Sequence, residues 1–197
     1  MKFDNSFNVS LPPAEAWIVL MDVERIAPCM PGATLTEIID DKNFKGTVSV
    51  RLGPVALTFE GVAGFENVDE VAQTAKVKAQ GKDPKGRGGA NAAVTFSIEP
   101  IDTGSRVLIE TDLTLSGSVA QYGRGVGMIQ SVASQLIGQF AKALEDEIAK
   151  DKAASVGEHL EVSASPAPEA TAEPPVISGL SLFFAAFGNW LKTLFKK

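Results

Sequence analysis

The feature that most constrains the fold of this chain is a series of short segments in which apolar and polar residues alternate with a period of two. Such alternation places one set of side chains on each face of a strand, so each segment predicts a strand with one buried face. The alternation begins at Leu35 and is clearest in residues 48–52, 55–60, 74–80, 92–98 and 107–115. Turn sequences such as Gly53-Pro54, rather than helices, separate these segments. They therefore predict an antiparallel meander that is apolar on one face.

A further strand and a short helix are predicted ahead of the meander. Residues 1–9 alternate in the same way, although Asn5 fits the inner face imperfectly. Pro12-Pro13 then opens a helix, because proline is tolerated in the first helical turn. Pro28 and Pro31-Gly32 end it.

The single apolar face of the predicted sheet needs a cover, and a long helical segment supplies one. Apolar residues recur there at helical spacing for about six turns. These residues are Val126, Ile129, Ala133, Leu136, Ile137, Phe140, Leu144 and Ile148. The sequence therefore predicts an α+β fold in which a curved antiparallel sheet of about seven strands wraps around one long C-terminal helix.

The chain divides into three predicted parts. Residues 1–151 form the sheet-and-helix domain, and residues 152–176 are rich in Pro, Ala and Glu. Repeated prolines exclude regular structure there, so we interpret this segment as a flexible linker that spans roughly 27 Å as coil and about 75 Å as extended polyproline II. Residues 177–197 form the third part, which is a short amphipathic helix.

The C-terminal helix has the pattern of a segment that lies in a membrane interface. Its apolar residues fall in one arc of roughly 140° on a helical wheel. They are Leu180, Phe183, Phe184, Phe187, Trp190, Leu191, Leu194 and Phe195. Lys192, Lys196 and Lys197 add basic charge, and the segment is too short to span a bilayer comfortably, which needs about 20 apolar residues. The alternative is a helix that packs on its own domain or on a partner.

Charge and composition restrict the partners. The net charge is −6, and the three lysines at the C-terminal end leave −9 for the rest of the chain. An acidic domain argues against nucleic-acid binding, whereas the basic end favours anionic membrane lipids. One cysteine excludes an intramolecular disulfide, and the start lacks the apolar run of a secretory signal, so we expect the domain in the cytosol.

Catalytic chemistry and metal binding have little support in the sequence. His159 is the only histidine and lies beside the predicted linker, where a surface role fits best. Cys29, the only cysteine, is interpreted as a small packed residue. A Cys/His metal cluster and a Ser-His-Asp arrangement are thus both excluded. Strand carboxylates such as Glu60, Glu99 and Glu110 are predicted to be solvated. We therefore predict no catalytic residues, no metal and no enzyme.

A ligand-binding cavity is better supported, because a sheet that curls around one helix seldom fills the space between them. Small Ala75 and Ala79 make room on the inner face, and aromatic residues offer flat surfaces for a planar apolar ligand. The candidate ligand-binding residues of the sheet and helix are Phe59, Ala92, Val94, Phe96 and Ile129. The alternative is a fully packed core.

Two polar segments add candidate contacts. Four glycines loosen residues 117–127, where Tyr122 and Arg124 are placed to donate hydrogen bonds to a ligand carbonyl at the cavity mouth. The alternative is a flexible connector whose Arg124 pairs with a surface carboxylate. The basic loop 82–89 either contacts a partner or lipid phosphates, or is a solvated hairpin turn.

The order of elements resembles the helix-grip fold of the START/Bet v 1-like (SRPBCC) superfamily. Within it, residues 28–33, 81–88 and 122–125 are similar to the CoxG family of carbon monoxide dehydrogenase proteins, over about residues 1–150. The resemblance implies a protein that connects molybdenum CO dehydrogenase to the membrane and binds a respiratory quinone, menaquinone or ubiquinone, with no covalent cofactor.

Three functions follow as hypotheses. The first is a membrane-tethered carrier that holds quinone or quinol in its cavity at the cytoplasmic face of the cell membrane. The second is a recruitment factor that only anchors CO dehydrogenase there. The third, an enzyme that acts on a hydrophobic substrate, needs a catalytic group that the sequence does not provide.

Overall fold

The structure is a computed structural model that describes residues 1–53, 55–124 and 126–160, with the side chains at 123, 124, 126 and 153–160 excepted. Residues Met1–Gly157 form one compact unit. The predicted linker from residue 161 onward and the predicted membrane-binding helix at 177–197 lie outside the described residues. So do the side chains of His159 and Arg124.

Seven antiparallel strands form one sheet in the order β1-β7-β6-β5-β4-β3-β2. The alternating segments of the sequence all lie within it. The strands are β1 (Lys2–Val9), β2 (Ala33–Ile38), β3 (Asn43–Leu52), β4 (Val55–Asp69), β5 (Thr74–Lys82), β6 (Gly88–Ile101) and β7 (Gly104–Gly117). With the long helix, they confirm the predicted fold class.

The long helix α3 runs from Val126 to Leu160 and covers the apolar face of the sheet, as predicted. It continues past residue 152, where the sequence analysis placed the start of the linker. The sequence between 152 and 160 contains no proline, so nothing there forces the helix to stop.

The predicted N-terminal helix is instead two helices and a short 3-10 turn. They are α1 (Pro13–Met21), α2 (Val23–Ile26) and the 3-10 helix Ala27–Cys29. The break falls at Asp22, which is extended and whose side chain accepts a hydrogen bond from the backbone N–H of Arg25 at 3.1 Å. Asp22 thus caps a new helix, which the apolar periodicity alone did not reveal.

The main hydrophobic core lies where α1 and the middle of α3 meet the sheet. Phe7 of β1 packs edge-on against Phe140 of α3, with ring centroids 5.6 Å apart. Polar contacts also hold α3 to the N-terminal part of the domain. The backbone N–H and hydroxyl of Ser10 donate to Glu145 at 2.6 and 2.7 Å, and Arg25 pairs with Asp151.

Tight curvature of the sheet depends on glycine in β4. A Cβ atom at Gly61 would overlap the backbone carbonyl oxygen of Gln80 on β5. Only glycine allows the two strands to approach this closely, which lets the sheet curl toward α3.

Candidate functional site

A cavity of about 580 Å³ lies between the inner face of the sheet and α3, and it is open to solvent on one side, where Met30 and Val48 of its lining are exposed. Its volume falls within the range of about 300–1,000 Å³ that is typical of small-molecule sites. The lining is almost wholly carbon. A fully packed core, the alternative left open by the sequence, is therefore not what the structure contains.

The cavity exists because small residues meet across the middle of the sheet. Strand register places Gly46, Gly61, Gly81 and Ala90 side by side on β3 to β6. The next inner-facing row contains Ala63, Ala79 and Ala92. These two rows contribute few side-chain atoms, while larger side chains beside them, such as Phe7 against Phe140, separate α3 from the sheet, so space remains above the rows.

Aromatic rings form much of the remaining wall. Phe44 and Phe65 meet edge-on with ring centroids 6.3 Å apart, and both line the cavity. Phe59 and Phe96 also line it, and Phe96 is held by Trp17 with ring centroids 5.8 Å apart. These rings offer flat apolar surfaces to a ligand.

The polar residues of the lining contribute little side-chain chemistry. Lys45, Thr47 and Gln80 alternate with the inner-facing glycines, so they lie on the opposite face of the sheet. The Lys45 ammonium donates to Glu37 at 2.8 Å. Such a site is suited to recognise shape and apolar surface rather than charge.

Two hydrophobic clusters bound the cavity at its ends. The main core contributes Phe7, Leu20 and Phe140 to one end. A smaller cluster of Leu52, Leu57 and Val119 lies at the other, and Val119 is 1% exposed. The smaller cluster joins the β3–β4 hairpin to the 3-10 helix Ser118–Arg124, which precedes α3.

Most of the predicted ligand-binding residues line the cavity. They are Phe59, Ala92, Val94, Phe96 and Ile129. Tyr122 does not line it, and packs instead against the smaller cluster. Ala75, which the sequence analysis expected to make room for a ligand, is fully buried in the main core, so Ala79 and Ala92 provide the space.

The loop at residues 82–89 is held by internal hydrogen bonds that neither predicted interpretation included. Asp83 is only 4% exposed, and its carboxylate accepts hydrogen bonds from the Arg87 guanidinium at 2.8 and 2.9 Å. These bonds lower the pKa of Asp83 to about 2. The same guanidinium donates to the carbonyl oxygen of Ala56 at 3.2 Å. Arg87 is thus committed to internal contacts, whereas Lys85 is exposed.

Cys29 and the strand carboxylates have the environments that the sequence predicted. Cys29 is buried, and burial raises the pKa of its thiol. Glu60, Glu99 and Glu110 are exposed. Within the described residues, no group of three or more His, Cys, Asp or Glu is placed to hold a metal ion. Among the helices of that part of the chain, none is long and apolar enough to cross a bilayer.

The glycine row and the contacts of Arg87 were not predicted from the sequence. The glycines were visible, but only the strand register shows that Gly46, Gly61 and Gly81 adjoin. For Arg87, the available signal was an acid four residues earlier in a Gly- and Pro-containing turn, a spacing that permits a local ion pair.

Comparison with solved structures places this architecture among the Bet v 1-like proteins. A conserved protein from Geobacillus kaustophilus is 24% identical, with a TM-score of 0.65 over 76% of this chain and 96% of that one. The ZhuI aromatase/cyclase from Streptomyces sp. R1128 is 14% identical, with a TM-score of 0.53 over 75% and 92%. Ara h 8.0201 is 17% identical, with a TM-score of 0.52 over 76% and 98%. At these identities the likeness concerns the fold alone.

The comparison with curated protein sequences gave no match. The sequence pattern of one family, however, covers nearly all of the domain that contains the cavity. It matches residues 6–149, which include the second half of β1, the other six strands and most of α3. With its Bet v 1-like architecture and apolar cavity, the chain belongs to the carbon monoxide dehydrogenase CoxG family.

Proposed function

We propose that this protein carries a respiratory quinone, menaquinone or ubiquinone, between the cell membrane and CO dehydrogenase. The observation that carries the proposal is the cavity of about 580 Å³ between the sheet and α3, with its nearly all-carbon lining. The family name supports CO dehydrogenase as the partner. The role is that of a binding protein, and the enzyme that supplies the electrons is the dehydrogenase.

The chemistry of a quinone suits this cavity. Its ring is planar and its prenyl chain is apolar, so both are poorly soluble in water and gain from burial against Phe59 and Phe96. Oxidation of CO with water to CO₂ releases two electrons and two protons, and a quinone that accepts both becomes the quinol. A protein that shields the quinone from water therefore allows a soluble dehydrogenase to exchange electrons with the membrane pool.

Membrane attachment is assigned in this proposal to the C-terminal segment at residues 177–197. The aromatic stripe around Trp190 would enter the interface, and Lys192, Lys196 and Lys197 would approach anionic headgroups at the cytoplasmic face. The Pro-rich segment before it would give the domain room to move between the bilayer and the enzyme.

Ligand identification tests the proposal most directly. The full chain, purified gently from cells with its membrane lipids present, is extracted with organic solvent and examined by mass spectrometry. A prenylated quinone at a stoichiometry near one per chain is expected. Repeated recovery of protein without any prenyl lipid, also after incubation with quinone-loaded vesicles, would contradict it.

A pair of adjacent substitutions separates a carrier from a recruitment factor. Ala92→Trp places an indole in the cavity, whereas Ala93→Trp places the same group on the outer face of β6. In a carrier, Ala92→Trp stops quinone reduction by the dehydrogenase in vesicles, and Ala93→Trp does not. If both variants bind vesicles and support full quinone reduction, the protein is a recruitment factor only.

A further inference from the structure

The cavity is too small for a whole respiratory quinone. A non-hydrogen atom of an organic ligand takes up roughly 25 Å³ at the packing density of a protein interior, so about 580 Å³ holds roughly 23 such atoms. The ring of ubiquinone or menaquinone uses about 13 of them with its substituents, which leaves space for about two five-carbon prenyl units. Respiratory quinones carry several more prenyl units than this. The outer part of the tail must therefore lie outside the cavity.

The open side of the cavity is the place where a tail can leave it. Met30 and Val48 flank this opening, both line the cavity, and they are 39% and 40% exposed. Val48 lies on the inner face of β3, two positions after Gly46, and its register partner on β2 is Ala33. The backbone N–H of Ala33 in turn donates a hydrogen bond to the carbonyl oxygen of Met30 at 3.1 Å. Met30 and Val48 therefore belong to one opening, at the start of β2.

An apolar strip continues from this opening along the inner face of the β2–β3 hairpin. It runs from Val48 past Gly46 and Leu35, which are register partners, to the pair formed by Phe44 and Ile38. Ile38 is 48% exposed. Four residues of β3 separate the two ends of the strip, which corresponds to about 13 Å, or about three extended prenyl units. The strip is thus long enough to hold the next part of a tail.

The chemistry of the strip suits an apolar chain rather than a polar group. The charged side chains of the hairpin are engaged elsewhere. The Lys45 ammonium donates to Glu37 at 2.8 Å, and the Asp40 carboxylate accepts from the backbone N–H groups of Lys42 and Asn43 within the turn. A prenyl chain on the strip covers apolar side chains that are otherwise in water, which stabilises the complex in proportion to the area buried. The quinone ring gains more from the aromatic walls inside the cavity.

We propose that the opening between Met30 and Val48 is the exit for the prenyl tail, and that the following units of the tail lie on the apolar strip from Val48 to Ile38. This assignment rests on the proposed function, because it takes the ligand to be a prenylated lipid that is longer than the cavity. The cavity then binds the ring and about two units, and the strip binds the units that follow. Changes at the opening should affect only ligands that are long enough to reach it.

Two adjacent substitutions on β3 test the exit. Val48→Asp places a carboxylate at the opening, and Ser49→Asp places the same group on the outer face, one position later. Met30→Gln is an uncharged change at the other side of the opening. Affinities of the full chain are measured by displacement of the neutral fluorescent probe N-phenyl-1-naphthylamine, which is small enough to fit inside the cavity. The competitors, delivered in methyl-β-cyclodextrin, are ubiquinones with one and with eight prenyl units, and the prenyl alcohols geraniol (two units) and solanesol (nine units).

Val48→Asp should weaken binding of the eight-unit ubiquinone and of solanesol by at least about tenfold, because a carboxylate that is covered by the tail loses its water. The one-unit ubiquinone, geraniol and the probe should keep their affinities within about twofold. Met30→Gln should weaken the long ligands about threefold, and Ser49→Asp should change no ligand by more than about twofold. If Val48→Asp does not fold, Met30→Gln decides alone.

Three results would overturn the exit. They are unchanged affinity of the long ligands in the variants of the opening, equal weakening of short and long ligands, and equal weakening by Ser49→Asp. The two ligand classes separate this failure from failure of the proposed function. If the alcohols displace the probe and the ubiquinones do not, the carrier proposal fails, and solanesol still decides whether the exit exists. If the ubiquinones bind but Val48→Asp affects both tail lengths alike, the exit is rejected and the carrier proposal stands. A chain that binds neither class rejects both.

Discussion

Filling the cavity should stabilise the ligand-free protein, whereas the same substitution in the main core should destabilise it. Ala79 and Ala75 lie on the same face of β5, four positions apart. Ala79 lines the cavity and has Ala63 and Ala92 as its register neighbours. Ala75 is fully buried beside Phe96 and Val68. Leucine at the two positions therefore tests for free space on one face of one strand.

The expected magnitudes follow from burial. Leucine adds three carbon atoms to alanine, and each stabilises by about 0.8 kcal/mol when buried. Loss of leucine rotamer freedom offsets about 0.5–1 kcal/mol, so Ala79→Leu should raise the free energy of unfolding by about 1.5 kcal/mol. Ala75→Leu has no space to enter and should lower it by about 1–3 kcal/mol.

Urea unfolding of the ligand-free proteins measures both changes, and the melting temperature of Ala79→Leu should rise by about 3–6 °C. Titration with N-phenyl-1-naphthylamine completes the assay, because a filled cavity should bind the probe at least about tenfold more weakly. If Ala79→Leu is destabilised to the same degree as Ala75→Leu, the prediction is wrong, because no usable space then lies above Ala79.

Two further predictions concern the packing of α3 and the buried carboxylate. Leu144 lies in the main core at 1% exposure, so Leu144→Ala should lower the free energy of unfolding by about 2–5 kcal/mol. Leu136 borders the cavity, so Leu136→Ala should lower it by less than half as much. Urea unfolding of the two variants checks this prediction, and equal losses would contradict it. The pKa of Asp83 is lowered to about 2, so its stabilising contribution is complete above its ordinary value of 3.8 and is lost as the pH falls through 2. Unfolding measured between about pH 4 and pH 2 should therefore depend less steeply on pH in Asp83→Asn than in the unmodified protein, and parallel curves would argue against the ion pair.

Much of the fold was predictable because its signals are local. Alternation predicted the strands, and the helical spacing over residues 126–148 predicted the cover. The break at Asp22 was not predicted, because a single side-chain cap decides it against a continuous apolar pattern. Inner-face membership follows from alternation and helical spacing, and five of the candidate residues line the cavity. They are Phe59, Ala92, Val94, Phe96 and Ile129. The contribution of Ala75 was predicted wrongly, because alternation does not say which part of an inner face is packed.

Alternation and helical spacing were enough to predict which residues face inward, and that one face of a seven-stranded sheet must be covered by one long helix. The location of the empty part of that inner face could not be predicted from these local patterns. Emptiness depends on the register that sets Gly46, Gly61 and Gly81 side by side, and on α3, which is held too far from the sheet to fill the space. Register and the position of a packed helix are properties of contacts between distant segments. The contacts of Arg87 with Ala56 and with Ser118 depend in the same way on segments that meet only after the sheet has curled.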